Sequence, residues 1–294
     1  MASTQSKLLI ALLKLINKKN FLSKQLANGK FDSYSSPEPP AKILRSCVIQ
    51  KFQINNRNVF TLKPKNYNGG GKHILYLHGG AYVQRFNKFH WEFLAKLVKR
   101  TNCTITAPDY PLAPAHTYQK SFEMVSEVYR RLLAMNDPDQ LIFLGDSAGG
   151  GFSLALAQKM RNEKVSQPAQ IILLSPWLDI SLKNPEIKDV DPNDPFLGKE
   201  SLQQAGKLYA GGTNPDYYLL SPINGSLNNL GKISVFIGSN EILVADARKL
   251  RSLAENYGID LNYREYPDMI HAWMFLNLPE SRRAKKEIID LIRS

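Results

Sequence analysis

Residues 145–149 read Gly-Asp-Ser-Ala-Gly, a G-x-S-x-G string centred on Ser147. A serine hydroxyl attacks a carbonyl only when a base takes its proton and donors receive the oxyanion. Five residues alone carry little weight, but the context here is specific. The apolar run LIFL precedes the string, and the helix-compatible run AGGGFSLALAQKMRNE follows it directly. A strand, a sharp turn and a helix in that order form a nucleophile elbow, with Ser147 as nucleophile. Gly145 and Gly149 stand two residues to either side because a strained turn leaves no room for side chains; Asp146 completes the elbow. The helix start aims free N–H groups and the positive end of the dipole at the developing charge.

A second string, His78-Gly79-Gly80-Ala81-Tyr82, follows the run ILYL. Glycine lets a backbone approach a reacting oxygen closely. We expect the N–H groups of Gly80, Ala81 and Ala148 to form the oxyanion hole, with His78 and Gly79 supporting the loop. His78 precedes the nucleophile, which argues against it as the base. The chain has five histidines, and His271, in MIHAWMF after the last strand-like run, fits the order Ser, acid, His. His73, His90 and His116 read as structural. The acid should lie between Ser147 and His271, after a strand. Glu241 follows ISVFIG and is the first choice; Asp246, five residues on, and Asp268, three residues before His271, are the alternatives.

These residues need a scaffold. From residue 73 short apolar runs alternate with helical ones: HILYLH, CTITAP, LIFLG, IILLSPW, ISVFIG and LNYREY against runs near 90–102, 121–136, 148–163, 244–258 and 280–294. This pattern predicts an α/β fold with a mostly parallel central sheet and helices on both faces. ILRSCVIQKFQI and NVFTLKP, joined through Asn55-Asn56, predict an antiparallel hairpin, and NYNGGGK (66–72) a turn. Residues 180–230 break the alternation and hold one helical run, KESLQQAGKLYAGG, which reads as an insertion.

The 294 residues suit one large domain with an appendage. LLIALLKLI (8–16) is short of the ~20 residues of a spanning helix and contains Lys14, so it predicts an amphipathic helix continued by Phe21, Leu22 and Leu26. Residues 1–72 hold 13 Lys and Arg against Asp32 and Glu38, leaving 25 of the 38 basic and 24 of the 26 acidic residues beyond. The basic character therefore belongs to the N-terminal quarter, where it reads as a solvated face rather than a membrane or polymer site. No aromatic platform accompanies it, so no nucleic acid is expected. Cys47 and Cys103 are too few for a disulfide framework and fit a reducing, cytoplasmic setting. Neither CxxC nor HExxH occurs, and no metal or other cofactor is expected.

HGGAY, DYPLAP (109–114), GDSAGG, SPWLD (175–179), GSNEILVADA and IHAW together resemble the hormone-sensitive-lipase branch of the α/β-hydrolases, over roughly residues 45–294. The resemblance implies the α/β-hydrolase fold, a carboxylic ester hydrolase using Ser147, His271 and Glu241, and a helical cap from residues 1–44 and about 180–225 over the catalytic domain 45–294. It also implies short to medium acyl chains. Three positions depart from the family pattern: Glu241 where Asp is commoner, Ala81 for a third glycine, and Ala115 after LAP in place of Glu. The partner expected is a small-molecule ester, without stable membrane insertion, and the sequence admits a homo-oligomer. Other readings on the same scaffold are an amide-directed hydrolase or deacetylase, a lipase favoured by the basic, apolar N-terminus, and a non-catalytic ligand receptor, against which His271 argues.

Overall fold

Asn55 and Asn56 take φ of 49° and 60°, a left-handed pair that asparagine tolerates and that suits the twist of a two-residue hairpin. Around them Val48–Ile54 (β1) and Arg57–Lys63 (β2) pair antiparallel, with Ile54 opposite Arg57. The computed structural model describes residues 2–66 and 70–294, so residues 67–69 of the turn expected at NYNGGGK lie outside the described residues.

Beyond the hairpin the alternation read from the sequence is present. The strands are β3 (His73–Leu77), β4 (Thr104–Pro108), β5 (Leu141–Asp146), β6 (Gln170–Leu174), β7 (Lys232–Gly238) and β8 (Leu261–Tyr266). Together with β1 and β2 they form one sheet in the order β1-β2-β4-β3-β5-β6-β7-β8. Every pairing from β4 to β8 is parallel, while β2 joins β4 antiparallel. Residues of β3 to β6 are buried throughout because helices cover both faces.

Nine helices of four residues or more connect and flank the strands among the described residues: α1 (Thr4–Leu15), α2 (Phe21–Asn28), α3 (Lys88–Thr101), α4 (Tyr118–Leu133), α5 (Ala148–Asn162), α6 (Ile187–Val190), α7 (Lys199–Ala210), α8 (Val244–Asn256) and α9 (Pro279–Arg293). Val125 and Tyr129 of α4, Leu154 of α5 and Leu250 of α8 belong to one core layer. Leu94 and Val98 of α3 and Ile288 and Ile292 of α9 belong to the other.

The N-terminal segment differs from the single amphipathic stripe that its sequence suggests. Asn17, at φ 51°, ends the first helix and reorients the chain before α2. Leu9, Ile10 and Leu13 then pack on the α3–α9 layer, whereas Leu22 and Leu26 pack on the opposite layer. Leu8, Leu12, Leu15 and Ile16 face solvent. Ser3 anchors the start of α1 by donating its N–H to Glu280 at 2.6 Å. The insertion carries α6 and α7, and α2 packs beside α7. Lys19 pairs with Asp191 of the insertion at 2.8 Å. Among the described residues no helix is long and apolar enough to cross a membrane.

Candidate active site

The sharp turn after β5 puts Ser147 at φ 51° and ψ −121°, a backbone state costing about 1–3 kcal/mol for a non-glycine residue. The surroundings over-determine it. Ser147 N–H donates to Leu174 O at 2.8 Å, and Ser147 O accepts from Trp177 and Gly150 at 2.9 and 3.0 Å. A Cβ at Gly145 would collide with Gly149 O, and one at Gly149 with Leu77 O. The small residues expected beside the serine thus answer to backbone on both sides.

His271 reaches Ser147 from the loop after β8. Its Nε2 lies 3.0 Å from Ser147 Oγ, and its Nδ1 lies 2.5 Å from Glu241 Oε2. With the serine hydroxyl donating to Nε2, the imidazole must carry its proton on Nδ1 and donate to the carboxylate. All three side chains are buried. Burial alone would lower the His271 pKa, but the adjacent Glu241 carboxylate overrides it and raises the value above the ordinary 6.5. The structure therefore brings Glu241, among the three weighed carboxylates, to His271. Asp246 instead accepts from Asn184 at 3.0 Å, and burial raises its carboxyl to about 6. Asp268 accepts the Ala2 N–H at 3.0 Å.

The loop after β3 faces the serine. Gly80 has φ 114°, a conformation that side chains rarely adopt, and Ala81 and Tyr82 follow at 53° and 61°. Three contacts pin this loop. Gly79 N–H donates to Asp146 Oδ1 at 3.0 Å, Tyr110 Oη to His78 O at 2.6 Å, and Ala113 N–H to Tyr82 O at 2.9 Å. The N–H groups of Gly80, Ala81 and Ala148 have no protein acceptor among the described residues, which leaves them free for a substrate oxygen. His78 stacks on Tyr110 at 4.4 Å, with Nδ1 2.7 Å from Gly79 O, and burial lowers its pKa to about 4. A neutral His78 braces the loop without adding charge.

Four positions beyond the sequence reading shape the site. Ser175 donates to Glu241 Oε1 at 2.6 Å and accepts the Ala272 N–H at 3.2 Å. Gly238 N–H also donates to Glu241 Oε1, at 3.0 Å. Asp194, from the insertion, accepts N–H bonds from Phe196, Leu197 and, at 2.8 Å, Ile242 beside the acid. Burial raises its carboxyl to about 6. His90 Nε2 lies 3.5 Å from Asp146 Oδ2. Burial would raise Asp146, but His90 and the Tyr76 hydroxyl, 2.5 Å from Oδ1, hold it below its ordinary value. Ser175 stands in the SPWLD string, and that string was its one signal in the sequence. His90 reads as structural and Asp194 had no such signal, because the partners that tie them to the site, Asp146 and Ile242, lie far along the chain.

The insertion touches the same centre. Phe196 sits with its ring 5.7 Å from that of His271, and Tyr209 of α7 stacks on Tyr82 at 3.8 Å. Among the described residues no group of three or more His, Cys, Asp or Glu side chains is placed to hold a metal ion.

A family model described as the alpha/beta hydrolase fold matches residues 74–275. An esterase of Acinetobacter venetianus is 30% identical over 75% of this chain and 74% of its own length. An acetyl-hydrolase of Streptomyces hygroscopicus is 31% identical over 73% of each protein. The crystal structure of an esterase from the bacterial hormone-sensitive lipase family superposes with a TM-score of 0.83 at 27% identity, over 100% of this chain and 99% of the other.

Proposed function

The chain belongs to the hormone-sensitive-lipase-like branch of the α/β-hydrolases and is a serine hydrolase of carboxylic esters; from that premise we propose a reaction carried by Ser147, His271 and Glu241 on esters of short to medium acyl chains. The observation that carries this reading is the continuous pair of contacts from Glu241 through His271 to Ser147, at 2.5 and 3.0 Å.

His271 Nε2 takes the hydroxyl proton as Ser147 Oγ attacks the ester carbonyl. Glu241 holds the Nδ1 proton and stabilises the imidazolium that forms. The N–H groups of Gly80, Ala81 and Ala148 receive the oxyanion. The imidazolium then protonates the leaving alkoxide, and the acyl group stays on Ser147. Water enters, His271 removes its proton, and a second tetrahedral species collapses to release the acid and restore Ser147. Asp146 acts as a positioning residue, because it joins the elbow to the oxyanion loop through Gly79.

Residues 1–44 and about 180–225 serve as the cap. The packing of α2 beside α7, the Lys19–Asp191 pair and the place of Phe196 beside His271 support that assignment. Bulk so close to the base favours short acyl groups. The partners are the ester and water. Cys47 and Cys103 are free and buried, which agrees with a cytoplasmic setting. A series of p-nitrophenyl esters from acetate to palmitate tests the substrate range: turnover should peak between acetyl and about hexanoyl. Faster turnover of emulsified long-chain triglyceride than of butyrate would remove the short-chain assignment.

A further inference from the structure

Beyond residue 72 the charges nearly balance along the chain, yet the fold does not spread them evenly. Where α3 and α9 pack side by side, two clefts of about 440 and 550 Å³ adjoin and share Lys96, Arg100, Asn277 and Lys285. The first is lined by Lys96 and Arg100 of α3 and by Arg282, Lys285, Lys286 and Arg293 of α9. Asp290 is the one acidic residue among its described lining. None of these six cations has an ion-pair partner among the described residues, although Arg283 on the same helix pairs with Glu287 at 3.1 Å. The second cleft adds an apolar wall of Phe89, Phe93, Phe275 and Leu276 beside Lys99. Its one acidic residue, Glu92, faces Lys42 at 3.7 Å.

Six cations without ion-pair partners among the described residues surround one concavity and repel each other. The Lys285 side chain is half-buried, and burial, then Lys96 and Arg282, push its ammonium down to about 8. Its Nζ donates to Leu276 O at 2.7 Å, which fixes it in the cleft without neutralising it.

We propose that the α3–α9 cleft binds a small polyanion carrying two or more phosphate groups. A single carboxylate would leave most of the cations uncompensated. Guanidinium groups match phosphate oxygens with two parallel hydrogen bonds, and Arg100 and Arg282 supply two such forks, while Arg293 adds its charge with Nη2 held on Arg100 O at 2.5 Å. The volumes fit a small molecule rather than a polymer track. The site contains no residue of the Ser147 machinery, so it is separate from ester hydrolysis. Inorganic polyphosphate and a nucleotide share the required chemistry; in the nucleotide the apolar wall would face the base.

Calorimetric titration of the full chain with sodium tripolyphosphate and with ATP, both free of magnesium, tests this. We expect one saturable site whose affinity falls as salt rises. The double variant Arg282→Ala/Lys286→Ala changes two exposed residues and should weaken binding about tenfold or more. Arg283→Ala removes one cation from the same helix outside the cleft and should leave the affinity within about twofold. ATP binding tighter than tripolyphosphate identifies a nucleotide; equal affinity identifies the phosphates alone. Absence of saturable binding, or equal weakening by Arg283→Ala, overturns the site. On the unmodified protein, tripolyphosphate should also slow acetylation of Lys285 and Lys286 relative to exposed Lys120, and unchanged relative rates would count equally against it.

Discussion

Ser175 donates its hydroxyl to Glu241 Oε1 at 2.6 Å and so fixes the carboxylate whose other oxygen faces His271. Its own backbone is held at φ 46° with its N–H on Phe236 O at 2.7 Å. A serine on β6's exit thereby couples Glu241 to the loop that carries His271. Ser175→Ala removes a hydrogen bond to a charged group, worth about 1.5–3 kcal/mol. We expect kcat to fall about tenfold or more with KM nearly unchanged, measured by p-nitrophenyl butyrate kinetics. A change confined to KM would show that Ser175 serves binding and not the base.

Glu241 and Asp246 separate cleanly by mutation. Glu241→Gln keeps the shape but favours the wrong imidazole tautomer, and turnover should drop by about a thousandfold or more. Asp246→Asn alters a carboxylate that meets Asn184 instead, and should leave kcat within about tenfold. If the Asp246 variant proves the inactive one, the acid has been assigned to the wrong residue.

The pH profile follows from the raised pKa of His271. Only neutral His271 can accept the serine proton, so kcat/KM should rise as pH climbs through its folded-state value, above the ordinary ~6.5. Replacing Glu241 removes the main cause that raises this value, and burial then acts unopposed. The acidic limb of the residual activity of Glu241→Gln should move to lower pH. A limb that stays in place would mean that another group controls it.

Deleting residues 1–25 removes α1 and the first part of α2, with Lys19 and its bond to Asp191. We expect a raised KM for butyrate esters and a changed chain-length preference, with Ser147 still reactive to a small phosphonate. The comparison is run beside binding to anionic vesicles, because Leu8, Leu12, Leu15 and Ile16 face solvent next to Lys7 and Lys14. Unchanged ester kinetics with loss of vesicle binding would make the segment an anchor and not part of the cap.

What the sequence revealed depended on distance along the chain. The elbow, the hairpin at Asn55-Asn56 and the parallel strands rest on local backbone rules, so their residues announce them. Ser147, His271 and Glu241 lie far apart, but each sits at the end of a recognisable strand, and chain order supplied the rest. Asp194 and His90 act through partners 48 and 56 residues away, contacts that no local pattern encodes. The break at Asn17 was missed because an apolar repeat at helical spacing continues across it. Charge behaved likewise: α3 carries four basic residues against Glu92, and α9 five against Glu280, Glu287 and Asp290, an excess hidden in the near balance of the whole run beyond residue 72, and the cations gather only when the two helices pack.

The central claim, that Ser147 is the nucleophile, is tested most directly by Ser147→Ala. The variant should keep the wild-type melting temperature within a few degrees, because it removes one hydroxyl from a turn held by its backbone. Hydrolysis of p-nitrophenyl butyrate should fall by about four orders of magnitude or more. A fluorophosphonate should label Ser147 of the wild type in stoichiometric amount and leave the variant unlabelled. A folded Ser147→Ala protein that retained about a tenth of wild-type turnover would contradict the account outright.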